Sequence, residues 1–140
     1  MISINFIAVL VAAVVAFIIG FLFHGPIGGK LWMKLANVVP TGNEKLSDMV
    51  PQMIGNLFTN FVTALGLSVV FTIASTSSAV NISGVWGGVL CGVFVWIFFL
   101  VTSSAIEVIW MGRKTGLWLY EAVCSLVMMG VMGAIIAYWR

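Results

Sequence analysis

The chain has 140 residues, 62% of them hydrophobic and only 7% charged, with a formal net charge of +2. An ordinary soluble domain carries about 25% charged residues, so six Lys or Arg and four Asp or Glu are too few to clothe a water-exposed surface, and the matching solvent is lipid. The length suits one compact unit rather than two, and so small a net charge gives no footing for nucleic acid.

The first uncharged apolar run covers residues 4–23. About 20 helical residues at 1.5 Å rise cross a hydrocarbon core of ~30 Å. A cleaved signal peptide needs a basic start and a small-residue cleavage site. Met1-Ile2-Ser3-Ile4-Asn5 has no basic side chain and His24-Gly25-Pro26 is a poor cleavage site, so the run reads as a retained span. Ala8, Ala12, Ala16 and Gly20 recur every four residues within it, a face that lets another backbone approach closely.

Residues 28–39 follow as a short interfacial helix, ended by Pro40. Lys30, Lys34 and Asn37 share one face, Leu31 and Leu35 lie beside it, and Trp32 suits the headgroup level. Thr41-Gly42-Asn43-Glu44 has the spacing of a capping box. The second span covers residues 49–74, after the capping residues Ser47 and Asp48 and with Pro51 in the first turn. Along it Gln52, Asn56 and Asn60 stack at four-residue spacing, continued by Ala64, Ser68 and Thr72.

The linker 75–83 is polar and uncharged. The third span covers residues 85–111, with Gly84, Gly88 and Gly92 as a second small-residue face. The basic turn Gly112-Arg113-Lys114-Thr115-Gly116 makes the third and fourth spans antiparallel neighbours, the fourth covering residues 117–139. Cys91 and Cys124 fall toward opposite ends of these two spans, too far apart for a disulfide, and read as small buried hydrophobes. Trp86, Trp110, Trp118, Tyr138 and Trp139 lie near span ends as an aromatic belt, and Trp96 is a mid-span packing residue. Long apolar runs without alternation exclude a barrel. The fold class is an all-α membrane protein, one bundle of four transmembrane helices with an interfacial segment between the first two.

Loops one and three hold Lys30, Lys34, Lys45, Arg113 and Lys114, while only Arg140 lies opposite. The positive-inside rule places loops one and three and the interfacial segment in the cytoplasm, and both termini outside it. On this topology His24, Gln52, Asn56, Asn60, Glu107 and Glu121 all fall in the cytoplasmic leaflet. They read as one polar cluster, because ionisable groups in a span are costly and mark function. Its readings are interhelical glue, a ligand or ion vestibule, and a proton relay. For the carboxylates, glue means Glu107 pairing with Arg113 and Glu121 with Lys114. Two small-residue faces suggest that one is left for another chain.

The sequence holds no P-loop and no grouping of metal ligands, and one histidine with scattered carboxylates makes neither a triad nor a zinc site. No metal, cofactor or enzymatic activity is expected. Four-span drug exporters driven by a lone carboxylate carry it in the first span, which has none here.

The stretch His24-Gly25-Pro26-Ile27-Gly28-Gly29-Lys30-Leu31-Trp32-Met33 resembles a motif following the first span of small bacterial and fungal membrane proteins catalogued as domain of unknown function 1761. Asn5 to Leu10, Glu107 with Gly112-Arg113, Leu119-Tyr120-Glu121-Ala122, and Gly133 with Trp139 are similar to other parts of that family. His24 stands at an aromatic position and Glu121 at an Asn position. The resemblance implies a multi-pass membrane protein with no established activity, and the expected location is a bacterial inner membrane. Two functions are expected: a non-enzymatic membrane subunit, as a homo-oligomer or within a larger complex, or a small transporter or channel-like protein using the polar cluster.

Overall fold

The computed structural model describes residues 4–40, 42, 46–77 and 82–140. The Thr41–Glu44 spacing, Lys45 and residues 78–81 lie outside the described residues. The elements in chain order are α1 (Phe6–His24), α2 (Gly29–Ala36), α3 (Leu46–Thr76), α4 (Gly84–Val95), a π-helical stretch (Trp96–Val101), α5 (Thr102–Met111) and α6 (Thr115–Tyr138). The π stretch joins α4 and α5 into one rod, so four helices are long and apolar enough to cross a membrane. No strand occurs among the described residues.

Asn5 caps α1, its Oδ1 accepting from the N–H groups of Ile7 and Ala8. Its Nδ2 donates to Trp139 O at 3.0 Å and ties the start of α1 to the end of α6. The end holding Lys30, Lys34, Arg113 and Lys114 is called the basic end below, and the end holding Asn5 and Arg140 the far end.

Two local expectations change. The α2 helix stops before Pro40, because Asn37 adopts the left-handed conformation (φ 56°, ψ 36°) and its N–H and that of Val38 both close on Met33 O. Helix α3 begins about a turn earlier than its capping residues suggested, which places Pro51 inside the helix rather than in the first turn. Its missing N–H and ring then disturb the bond to Ser47 O.

Packing is organised by close backbone contact. A Cβ at Gly88 would run into Gly133 O and Ala137 Cβ, one at Gly92 into Met129 O, and one at Gly133 into Gly88 O. Helices α4 and α6 therefore meet backbone to backbone, where lipid supplies no hydrophobic term and van der Waals contact drives association. Ala8, Ala12, Ala16 and Gly20 are likewise buried, as α1 packs on α3 and α6. Both faces are consumed inside the chain, so neither is the spare surface the sequence suggested. Gly84 is also not part of the stripe. It faces open space and serves as a positive-φ residue (φ 65°) opening α4.

The apolar core lies between these helices, around Val9, Leu67, Phe71, Met129 and Met132. The third span is peripheral: 11% of its most apolar window is buried, against 33% in each of the other three. Its outward Phe94, Phe98 and Phe99 are exposed, as a lipid-facing surface allows. Cys91 and Cys124 are free and buried.

Gly88→Leu is expected to lower unfolding free energy by at least about 3 kcal/mol, since overpacking against backbone finds no room to relax. Gly66→Ala, where nothing lies within 4 Å of an added Cβ, is expected to be neutral or stabilising by about 0.5–1 kcal/mol. Unfolding of both variants in detergent with a denaturing surfactant checks the contrast.

Candidate functional site

The six polar residues expected as one cluster divide into two groups. Among the described residues α3 does not pack on α5, which carries Glu107, and although it touches α6, its amides Asn56 and Asn60 bond each other while Glu121 of α6 bonds Arg113. The reason is divergence of α3 from the bundle. Its polar stripe is buried at Asn60, Ala64, Ser68 and Thr72, but Gln52 and Asn56 are exposed.

The first group lies between α1 and α3. His24, Gln52 and Asn56 line a cleft of about 210 Å³ with Phe17, Phe21 and Met49 among its apolar walls. Asn60 donates from Nδ2 to Asn56 Oδ1 at 3.0 Å. His24 Nδ1 lies 2.8 Å from Gly20 O, and because a carbonyl can only accept, Nδ1 carries the proton. The His24 ring stands edge-on to Trp32 and Tyr120, at 5.6 and 6.3 Å between centroids. Trp32 thus packs against His24, and its Nε1 is buried without a partner. Tyr120 donates to Phe23 O at 2.6 Å, across the position a Cβ of Gly28 would occupy. The Gly-Pro-containing motif after α1 is thus the part of loop one that wraps Tyr120.

The second group lies between α5 and α6, and it starts in the π stretch. Thr102 and Ser103 donate from their hydroxyls to Phe98 O and Phe99 O, and Ser104 donates to Val101 O at 3.1 Å. These donors satisfy carbonyls whose helical bonding is altered by the wider turn. A π turn takes about one extra residue and delays the rotation of the helix face by as much. As a result Ser104 and Glu107 face α6. Trp118 Nε1 donates to Ser104 Oγ at 3.0 Å. About two turns nearer the far end along the third span, Trp96 Nε1 donates to Ala122 O and Ser125 Oγ, at 3.0 and 3.1 Å. Trp96 is thus a hydrogen-bonded tie as well as a packing residue.

Arg113 completes the site from the turn between the two spans. Its Nη1 bonds Glu107 Oε2 and its Nη2 bonds Glu121 Oε2. Each carboxylate spends one oxygen, so the triad carries a surplus of one negative charge when both are ionised. Glu121 pairs with Arg113 rather than Lys114, because the αL turn at Gly112 (φ 66°) folds Arg113 back toward α5, its N–H bonding Glu107 O at 3.1 Å. The triad opens into a cleft of about 380 Å³ lined also by Ser103, Ser104, Trp118 and Ser125. The sequence reading passed over these serines. The run Thr102-Ser103-Ser104 in mid-span was the available signal, since three adjacent hydroxyls in a membrane helix need backbone acceptors.

No group of three or more His, Cys, Asp or Glu suited to a metal ion occurs among the described residues.

These features define an all-α membrane protein of four spans, with its intramembrane carboxylates placed toward the basic end. Residues 7–137 match the family model described as protein of unknown function (DUF1761), and the chain belongs to that family. None of the curated proteins and none of the solved structures matches it.

Arg113→Gln leaves two carboxylates facing each other across the α5–α6 cleft. The triad side chains keep 28–43% of their surface exposed, so solvent reduces the cost of a broken buried pair, and a loss of about 1–3 kcal/mol is expected. Glu121→Gln leaves Arg113 paired with Glu107 and is expected to stay within about 1 kcal/mol of the parent. Surfactant unfolding of the two single variants checks the order.

Proposed function

We propose that this protein is a non-enzymatic membrane subunit that uses its third span to meet a partner chain in the bilayer. The observation that carries this reading is the pairing of both intramembrane carboxylates with Arg113 beside a filled bundle. The carboxylates tie α5 to α6, while an apolar cluster around Leu67, Phe71, Met129 and Met132 fills the bundle between the helices. The α5–α6 cleft and the cavity at the far end share no lining residue. What the chain offers is a peripheral helix, little buried by its own neighbours, with a polar cleft along one edge. The cleft's surplus negative charge suits a cationic side chain of the partner, since a charge at membrane depth needs a counter-charge.

Transport is the second reading, favoured by the same cleft of about 380 Å³, with a small cation as cargo. A photo-crosslinking residue at Phe98, which is exposed on the third span, separates the two in native membranes. A discrete, reproducible protein adduct is expected from position 98 and none from Phe58, exposed on α3. Lipid adducts alone at position 98 overturn the subunit reading. Loss of cation flux in Glu121→Gln with assembly intact favours transport.

The orientation is part of the proposal. Lys30, Lys34, Arg113 and Lys114 gather at one end of the bundle and Arg140 at the other, which supports a cytoplasmic basic end. A reporter active only in the cytoplasm is expected to be silent when fused after Arg140 and active in the Arg113–Lys114 turn. The reverse pattern inverts the protein.

A further inference from the structure

The far end of the bundle holds a third polar site, separate from the two clefts that open toward the basic end. A cavity of about 250 Å³ is lined by Asn5, Ser68, Thr72 and Arg140, with Ile4, Ala8, Ile136 and Trp139 as apolar walls. Ser68 is 4% exposed, and its hydroxyl has no hydrogen-bond partner among the described residues. The hydroxyl is not sealed in the packing, since the buried side-chain nitrogen or oxygen without a partner among the described residues is Trp32 Nε1; it opens on the cavity and is free to bond an occupant. Thr72 needs none, because its hydroxyl donates to Ser68 O at 2.7 Å.

Three features give the cavity its sign. Arg140 donates from Nη1 to Phe71 O at 3.4 Å and to Ser75 Oγ, and its guanidinium sits 5.4 Å over the Phe71 ring. These contacts hold the group in place without neutralising it, and it pairs with no carboxylate among the described residues. Asn5 and Ala8 bring the N-terminus of α1, a helix of 19 residues, to the same cavity, adding the positive end of its dipole. The described acids, Asp48, Glu107 and Glu121, all belong to the basic end.

We infer that this cavity binds a phosphate group, held by the Arg140 guanidinium and the Ser68 hydroxyl at the N-terminus of α1. The positive end of α1, the Ser68 hydroxyl of α3 and the Arg140 guanidinium after α6 converge on it from different directions. A tetrahedral phosphate presents oxygens both to the guanidinium and to the hydroxyl, whereas a carboxylate presents two in one plane; α1, whose Ile7 and Ala8 N–H groups are taken by Asn5 Oδ1, adds its dipole field only. The cavity lies at a span end, the depth of phospholipid headgroups, and its Ile4, Ile136 and Trp139 walls suit the glycerol and upper acyl part of a lipid. A free phosphate shares the same recognising chemistry.

Titration calorimetry of the full chain in phosphate-free maltoside micelles, at constant ionic strength in chloride, tests the site. The probes are inorganic phosphate, a short-chain phosphatidylglycerol and the matching diacylglycerol, which lacks the phosphate. Saturable binding of inorganic phosphate assigns a site open to free anions. Binding of phosphatidylglycerol alone assigns a lipid headgroup, and either result upholds the proposal. Arg140→Gln is expected to weaken binding by about tenfold or more and Ser68→Ala by about fivefold, both with unchanged thermal unfolding in the absence of probe. Ser68→Ala removes one oxygen without adding volume, so it reports on the site even where Arg140→Gln fails to fold. The proposal is overturned if neither phosphate probe binds, if diacylglycerol binds as tightly as phosphatidylglycerol, or if Ser68→Ala binds like the parent.

Discussion

The contact on which the rest of this structure depends is the meeting of two backbones at Gly88, Gly92 and Gly133. In lipid, apolar side chains gain little by leaving one apolar neighbour for another. A helix pair is held instead by the number of atoms in contact and by the hydrogen bonds that close approach permits. With no Cβ at these glycines, α4 and α6 come together where side chains would otherwise keep them apart. At that separation the Trp96 indole reaches Ala122 O and Ser125 Oγ. The third span is thereby clamped to the fourth at the far end and as far as mid-bilayer.

Past that clamp the two helices part, and the polar chemistry occupies the space between them. The π stretch Trp96–Val101 begins at the last clamped residue. By delaying the face it turns Ser104 and Glu107, rather than their neighbours, toward α6. Arg113 then bridges the opening from the turn. The same division appears between α1 and α3, whose far halves pack through alanines, Asn60, Ser68 and Thr72 while their ends at His24 and Gln52 leave a cleft. Both polar clefts open toward the basic end, and the apolar core closes the middle.

Much of this was legible in one dimension, because lipid imposes strong rules on composition. Four apolar runs long enough to cross a bilayer, a short basic turn, and small residues at four-residue spacing each have a single physical reading. The pairing of Glu107 with Arg113 was within reach, six residues apart around a helix end. The sharing of that arginine with Glu121 was not, since it depends on how the αL turn at Gly112 aims one side chain between two helices. Nor was the separation of the amides from the carboxylates. Placing them in the same leaflet states their depth along the membrane normal and says nothing of which helices are neighbours.

The sequence by itself determined the solvent, the number of spans, the family motifs and most of the positions small enough for close helix contact. Each of these follows from local composition and from the periodicity of an α-helix. Tertiary structure alone decided which faces meet. It consumed both small-residue stripes inside one chain, reassigned Gly84 from packing to a left-handed turn, and divided the polar residues into two clefts. It also left the Ser68 hydroxyl unpaired beside Arg140, more than seventy positions away in sequence. Lateral arrangement in a bundle is set by contacts between residues distant along the chain, and no periodicity within a single helix records them.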